Sequence, residues 1–343
     1  MSDQRELQLE RAIAGLHRIP LAVRPTPLDP MPRLTLALGG PPLYIKRDDL
    51  TGLAFGGNKT RMLEFSLADA LDKGADTIVT GAAVQSNYCR QMAAACAKLG
   101  LELHLLVRPE RDIDRQEIQG NALLQRLFGA RVTVLRDNDR TKQQAAIAAR
   151  ADELLRNGRK VYIPRQADTV DLDAIAYAES ALELVRQCRD LNIEPAYLYS
   201  AALDTTQAGL VLGLKFVASP IQVRGISPFE KMPERMQRMA DIANQAADRL
   251  RLAVEFSEHD FDNDDSFVGE RYGMPTPASV EAVHLVARAE GILIDPVYTG
   301  KAMAALFAHI RAGTLAADRP VVFMHTGGAP ALFGYAQDVL PPG

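Results

Sequence analysis

An α/β fold of open, mainly parallel, twisted sheets flanked by helices is predicted by three features of the sequence. Short apolar runs recur along the chain. Longer segments with apolar residues three and four apart separate them. No Ser/Gly linker, low-complexity tract or repeat of about 20–50 residues interrupts the alternation. Taken in order, strands are expected at 43–46 (LYIK), 77–80 (TIVT), 101–107 (LELHLLV), 131–135 (RVTVL) and 160–163 (KVYI), then at 196–200 (AYLYS), 221–226 (IQVRGI) and 320–325 (PVVFMH). Helical spacing marks 87–99, 142–157 and 174–191, and 279–312 reads as mostly helical. Strands alternating with helices of this length form parallel sheets covered on both faces. The late strand at 320–325 can return to a sheet begun by early residues, so domains need not be contiguous.

Composition narrows the classes. The chain has 343 residues, 47% hydrophobic and 24% charged, ordinary values for a soluble globular protein of one or two domains. Lys and Arg number 39 against 43 Asp and Glu, a net charge of −4, with no basic stripe interleaved with aromatics, so no nucleic-acid partner is expected. No apolar run approaches the roughly 18–20 residues that span a bilayer. The amino-terminal MSDQRELQLERAIAG is charged and has no apolar core, so neither a membrane span nor a signal peptide is expected. Cys89, Cys96 and Cys188 form no CxxC pair and the six His are scattered, so no disulfide framework or metal site is expected, and a reducing cytoplasm fits.

Four segments carry candidate chemistry. In TGLAFGGNKTRMLEF, Gly56 and Gly57 precede a helical pattern marked by Leu63, Leu67 and Leu71. Lys59 at such a helix start feels the positive end of the backbone dipole, which disfavours its ammonium form and eases imine chemistry. A Walker A loop fails because Asn58 separates Gly57 from Lys59; a surface lysine in a turn remains the plain alternative. In GAAVQSNYCRQMAAACAKLG, Gln85, Ser86 and Asn87 follow a strand and open an Ala-rich helix, at the sheet edge where ligands bind in open α/β folds. Ser86 or Asn87 fits an N-cap equally well. In YSAALDTTQAGLVLGL, Thr205 and Thr206 at a helix start make either a phosphate cradle or an ordinary cap. IDPVYTGKAM and MHTGGAPALFGY place Tyr298, Thr299 and Thr326 after apolar runs and close to glycine; Tyr298 could equally be packed with its hydroxyl satisfied.

Together these segments resemble the pyridoxal-phosphate enzymes of fold type II, in the group containing D-cysteine desulfhydrase and 1-aminocyclopropane-1-carboxylate (ACC) deaminase. The likeness lies in IKRDDLTG, GGNKTRMLEF, QSNYCRQMAA, TTQAGL, YGMP, GILIDPVYTGK and HTGGAPALFGY, which occur in family order from about 45 to 335. The resemblance implies a large domain from 1–60 with 170–343, a small domain from 61–169, and a homodimer or higher oligomer. It implies that Lys59 holds pyridoxal 5′-phosphate as an imine and moves protons, that Asn87 contacts the ring hydroxyl, and that Ser86, with Gln85 alongside, lies near the substrate carboxylate. The turn of Leu203, Asp204, Thr205 and Thr206 would take the phosphate. Tyr272 and Tyr298 would face the substrate, and Thr326 would lie near the pyridine nitrogen. Two positions depart from the family: Asp204 stands where Gly is common, and Tyr88 replaces the usual His or Gln, which implies a reshaped substrate pocket.

ACC deaminases carry Glu where this chain has Thr299, and Leu where it has Thr326. Hydroxyls at both places match the desulfhydrase pattern and imply a weaker electron sink, suited to expelling a β-leaving group. The expected reaction is α,β-elimination from a small amino-acid substrate, a 3-substituted alanine, giving pyruvate, ammonia and the leaving group. D-cysteine (sulfide release) is the first expectation, with L-cysteate (sulfite release) and ACC (2-oxobutyrate) as alternatives. A sulfonate would want a cation, and thirty of the 39 basic residues are Arg, none placed by sequence alone.

Overall fold

The computed structural model describes residues 2–230 and 232–340. Their strands form two sheets. The larger contains β1 (Leu28–Pro30), β2 (Leu43–Lys46), β7 (Tyr197–Ser200), β8 (Gln222–Ile226), β9 (Asp262–Asp264) and β10 (Val321–Met324); the smaller contains β3 (Thr77–Thr80), β4 (Glu102–Val107), β5 (Arg131–Val134) and β6 (Val161–Tyr162). Strand order is β1-β2-β10-β7-β8-β9 in the larger and β5-β4-β3-β6 in the smaller. Every pairing is parallel except β1 with β2. The late strand β10 does return to the early one, inserting between β2 and β7 with Phe323 opposite Ile45 and Tyr199.

Alternation along each strand sends side chains to opposite faces. In the larger sheet Leu198, Val322 and Met324 join one core and Tyr199, Val321 and Phe323 the other. In the smaller sheet Ile78 and Leu105 face one cluster while Val79 and Leu106 face another. Both sheets are therefore covered on both faces. β1 and β9 escaped the sequence pattern: LDP and DND are three-residue edge strands with no apolar run to mark them. The 279–312 stretch is two helices, Pro277–Glu290 and Thr299–Arg311, because Gly291 caps the first at φ 67°. On the helix Asn58–Asp72, Leu63 and Leu67 are buried, but Leu71 is 37% exposed and plays no part in the core.

A buried ionic cluster fixes that helix. Arg61 and Asp48 have no exposed side-chain surface. Arg61 donates to both oxygens of Asp48 (2.9 and 3.0 Å) and of Glu183 (both 3.0 Å). Lys46, at the end of β2, donates to Glu183 and to the Thr26 carbonyl (2.6 Å), and the Tyr177 hydroxyl donates to Asp48 (2.7 Å). Two cations and two carboxylates thus tie β2 and the turn after it to the helices Asn58–Asp72 and Val170–Asp190. Burial pushes the Asp48 and Glu183 carboxyls up, but Arg61 and Lys46 outweigh it and hold both below the ordinary carboxylate range.

Removing one partner leaves an uncompensated buried charge, so Arg61→Met is expected to lower the unfolding free energy in urea by about 3–5 kcal/mol. Carboxyls whose folded values are depressed stabilise the fold above their unfolded values, about pH 4. That contribution is lost as pH falls through the folded values, so wild-type stability should drop steeply below about pH 4 and the variant's less so, as acid titration followed by circular dichroism would show.

Candidate active site

The residues that follow the parallel strands converge on one cavity of about 540 Å³. Ala82 and Ala83 come from the end of β3, Arg108 from β4, Ala201 and Leu203 from β7, Pro228 and Phe229 from β8, and Thr326 from β10. Carboxyl ends of parallel strands are where open α/β sheets bind ligands, because loops there diverge and leave a crevice.

Lys59 is the second residue of its helix, entered from Gly57 at φ 127°. A Cβ at Gly57 would lie 2.6 Å from Gln91 Nε2, and one at Gly327 2.7 Å from Gly57 Cα. Two glycine loops therefore meet backbone to backbone, and the Asn58 N–H donates to the Thr326 carbonyl at 3.0 Å. That contact sets Lys59 and Thr326 in the same cavity wall. Among the described residues, the only hydrogen-bond partner of Lys59 Nζ is the sulfur of Met62, at 3.6 Å. Burial lowers its pKa to about 7, helped by the charge of Arg165 and partly opposed by Asp173 and Asp204. An amine that is half neutral near pH 7, without an oxygen partner and facing a cavity, can form a covalent bond to a carbonyl carbon.

Ser86 serves as N-cap and lines the cavity at once. Its Oγ accepts from the Cys89 N–H at 3.2 Å, which leaves its own proton to donate. Asn87 Oδ1 accepts from Arg90 Nη1 and Asn121 Nδ2, both at 2.9 Å. The Asn87 amide is thereby oriented, and its NH₂ remains to donate. At the turn before the helix Thr205–Phe216, Asp204 has φ 48° and ψ −122°, a conformation favoured by glycine. The first three N–H groups of that helix make no backbone hydrogen bond, and the first that does is Ala208, to the Asp204 carbonyl at 2.9 Å. These free donors with Thr205 and Thr206 fit an anionic group at the cavity edge. Asp204 would repel such a group, but its carboxylate pairs with Arg238 at 3.4 Å.

Across the cavity Tyr298 and Tyr272 hydrogen-bond through their hydroxyls, and Tyr272 stacks on Phe229 with centroids 4.0 Å apart. Burial raises both phenol pKa values, so both stay protonated. Most residues expected from sequence meet here: Lys59, Ser86, Asn87, Tyr88, the 203–206 turn, Tyr272, Tyr298 and Thr326. Two do not. Gln85 points to the neighbouring segment, accepting from Asn121 N–H at 2.9 Å and donating to the Gln119 carbonyl at 3.1 Å. Thr299 is fully buried, its hydroxyl donating to Asp295 Oδ2 at 2.8 Å and accepting from the Asp295 N–H at 2.9 Å. The contrast drawn from two hydroxyls therefore reduces, at the cavity, to Thr326.

Sequence reasoning missed Phe229 and the cavity arginines, above all Arg165. Arg165 follows the predicted strand 160–163 by two residues, and position at a strand's carboxyl end was the available signal. The donor set suits a phosphorylated aldehyde: a neutral amine for the carbonyl, amide and hydroxyl donors alongside, and a helix start with free N–H groups for a phosphate.

Residues 19–327 match the family described as "Pyridoxal-phosphate dependent enzyme". D-cysteine desulfhydrase of Salmonella typhi is 38% identical over 326 residues, 94% of this chain and 97% of the relative. A solved ACC deaminase homologue superposes with a TM-score of 0.87 at 32% identity, covering 97% of this chain and 98% of its own. The apo form of Escherichia coli diaminopropionate ammonia lyase, at 17% identity and TM-score 0.64 over 98% of this chain and 90% of its own, shares the fold.

In cofactor-free protein, amine-selective labelling of Lys59 read by mass spectrometry should rise with pH about a midpoint near 7, following its lowered pKa. Lys142, whose pKa the hydrogen bond and charge of Asp137 raise, should instead respond only at a pH higher than an ordinary lysine requires. Asp204→Gly should relieve backbone strain and raise the unfolding free energy by about 1 kcal/mol in urea titration.

Proposed function

The chain belongs to the pyridoxal-phosphate-dependent enzyme family, and from that premise we propose that it is a carbon–sulfur lyase that eliminates the β-substituent of a 3-substituted alanine, with D-cysteine the first substrate. The balanced reaction takes D-cysteine and water to pyruvate, ammonia and hydrogen sulfide. The Cα–H and Cβ–S bonds break, and the three-carbon enamine left behind is hydrolysed. The observation that carries this reading is the Lys59 amine, its pKa lowered to about 7, in a cavity of phenol, hydroxyl and amide donors, within a chain 38% identical to D-cysteine desulfhydrase of Salmonella typhi over 326 residues.

Pyridoxal phosphate, when bound, supplies an electron sink for the charge left at Cα. The chain's own groups supply the rest. Lys59 Nζ is the attachment amine and the base for the Cα proton. The Asn87 NH₂ would serve the ring oxygen, Leu203, Asp204, Thr205 and Thr206 would hold the phosphate, and Thr326 would offer a neutral hydroxyl to the ring nitrogen. Ser86 Oγ donates to the substrate carboxylate. Tyr298 Oη, kept protonated by burial and paired with Tyr272, holds a proton for the departing substituent. The large domain would take 1–60 and 170–343 and the small domain 61–169, a division supported by the two sheets. A homodimer in the cytoplasm accords with the family. No described helix is long and apolar enough to cross a membrane.

L-cysteate is the second reading, favoured by the arginines in the cavity wall. A panel of D-cysteine, L-cysteine, L-cysteate, D-serine, 3-chloroalanine and ACC, assayed for keto acid, tests the proposal. Pyruvate from a 3-substituted alanine is expected; 2-oxobutyrate from ACC with no pyruvate from the others would reject it. Tyr298→Phe should lower kcat for the good substrate by about 10²-fold or more.

A further inference from the structure

Four arginines are buried: Arg61, Arg90, Arg108 and Arg235. Three of them face a carboxylate, Arg61 at 2.9 Å from Asp48, Arg108 at 3.0 Å from Glu110 and Arg235 at 3.9 Å from Asp265. Arg90 faces none among the described residues. Its Nη1 donates to Asn87 Oδ1 and to Asn121 Oδ1, both at 2.9 Å, and its Nη2 donates to the Gly56 carbonyl at 2.6 Å. All three acceptors are neutral, and Nε is buried without a partner. Burial pushes the Arg90 pKa down to about 9, with only the charge of Asp295 opposing, so the group is a cation at neutral pH. Asp295 is itself taken up by the N–H groups of Val297, Tyr298 and Thr299 at 2.7–3.2 Å. A buried cation held only by neutral oxygens is costly until an anion comes near it.

The three acceptors show where that anion would come. Asn87 lines the cavity, and because Arg90 and Asn121 hold its Oδ1, its NH₂ is the end left to meet a ligand. Gly56 belongs to the glycine loop that leads into Lys59. Asn121 is fixed in turn by Gln85, whose side chain accepts from the Asn121 N–H at 2.9 Å and whose carbonyl accepts from Asn121 Nδ2 at 2.8 Å. Gln85, which lies off the cavity, thus braces the network behind it. No partner of Arg90 belongs to the 203–206 turn, and Asp204, whose charge acts on Lys59 and Arg165, does not act on Arg90. The anion reached through Asn87 is therefore the ring oxygen and not the phosphate. We propose that Arg90 is a positioning residue for the cofactor: it orients Asn87 and places a buried positive charge behind the ring oxygen of pyridoxal phosphate, holding that oxygen as an anion. This rests on the reading that Asn87 meets the ring oxygen, and it is independent of which substrate is cleaved.

The test reconstitutes the full cofactor-free chain with pyridoxal phosphate or with 3-deoxypyridoxal 5′-phosphate, which keeps the aldehyde, ring nitrogen and phosphate but lacks the ring oxygen. Each Kd is read by absorbance titration. Arg90→Gln and Arg90→Met should raise the Kd for pyridoxal phosphate about ten- to a hundredfold and leave that for the deoxy analogue within about threefold of wild type. In the reconstituted variants the visible band, which belongs to the form with an anionic ring oxygen, should lose intensity to the near-ultraviolet band of the form in which that oxygen carries the proton. Arg90→Lys, which keeps the charge, should retain the visible band. Equal weakening of both ligands would assign Arg90 a purely structural role through Gly56 and Asn121 and overturn the proposal, as would unchanged affinity for pyridoxal phosphate. Asn87→Ala separates the underlying reading. If it alone distinguishes the two ligands, Asn87 stands at the ring oxygen and the role of Arg90 falls; if neither residue does, both fall. Should no neutral variant fold, wild type still decides: it should prefer pyridoxal phosphate to the analogue by about tenfold or more, and a smaller preference would overturn the proposal. Keto-acid release enters none of these measurements, so failure of the lyase reading leaves them valid.

Discussion

The charge pair of Arg61 and Asp48, closed by Glu183 and Lys46, is the constraint on which the site depends. Arg61 follows Lys59 by two residues, and positions two apart on a helix do not share a face. One side of the first helical turn is locked into buried carboxylates while the other presents an amine to the cavity. The cluster joins β2 and the helix Val170–Asp190 to the start of the Lys59 helix. The Asp48 carboxylate has no exposed surface and cannot be satisfied by water, so the arrangement has little freedom to drift. A second constraint, the meeting of Gly57 with Gly327, sets the distance to the Thr326 wall.

Within the cavity, charge is arranged so that the amine remains available. Arg165 disfavours a second cation at Lys59, and Asp173 holds Arg165 in place. The Tyr272–Tyr298 pair lies in a wall of aromatic rings where an ionised phenol is disfavoured, so protonated phenols and an amine of lowered pKa line the same cavity. Environments that push neighbouring groups toward opposite protonation states are the usual basis for dividing acid and base roles.

Much of this was legible in the sequence because the determinants are local. The central strands β3, β4, β7 and β10 are almost wholly buried and leave apolar runs, and glycines beside Lys59 and Thr326 mark loops that must approach closely. β1 and β9 left no such trace, since an edge strand needs neither apolar face nor length. Gln85 was expected beside Ser86, but the turn that makes Ser86 an N-cap sends the preceding side chain elsewhere. Thr299 was expected near the ring nitrogen because it stands where ACC deaminases carry Glu, yet helix geometry turns its hydroxyl toward Asp295. Arg165 could not be singled out among thirty arginines, because its placement depends on Tyr88 and Asp173, contacts that exist only once the sheets are assembled.

The chemistry proposed for the site depends on Lys59 Nζ being the amine that binds the cofactor's aldehyde. Borohydride reduction of the holoenzyme, followed by digestion and mass spectrometry, tests it directly. A pyridoxyl adduct on the peptide containing Lys59 is the result predicted. An adduct on another lysine, or none in a preparation that releases keto acid, would contradict it.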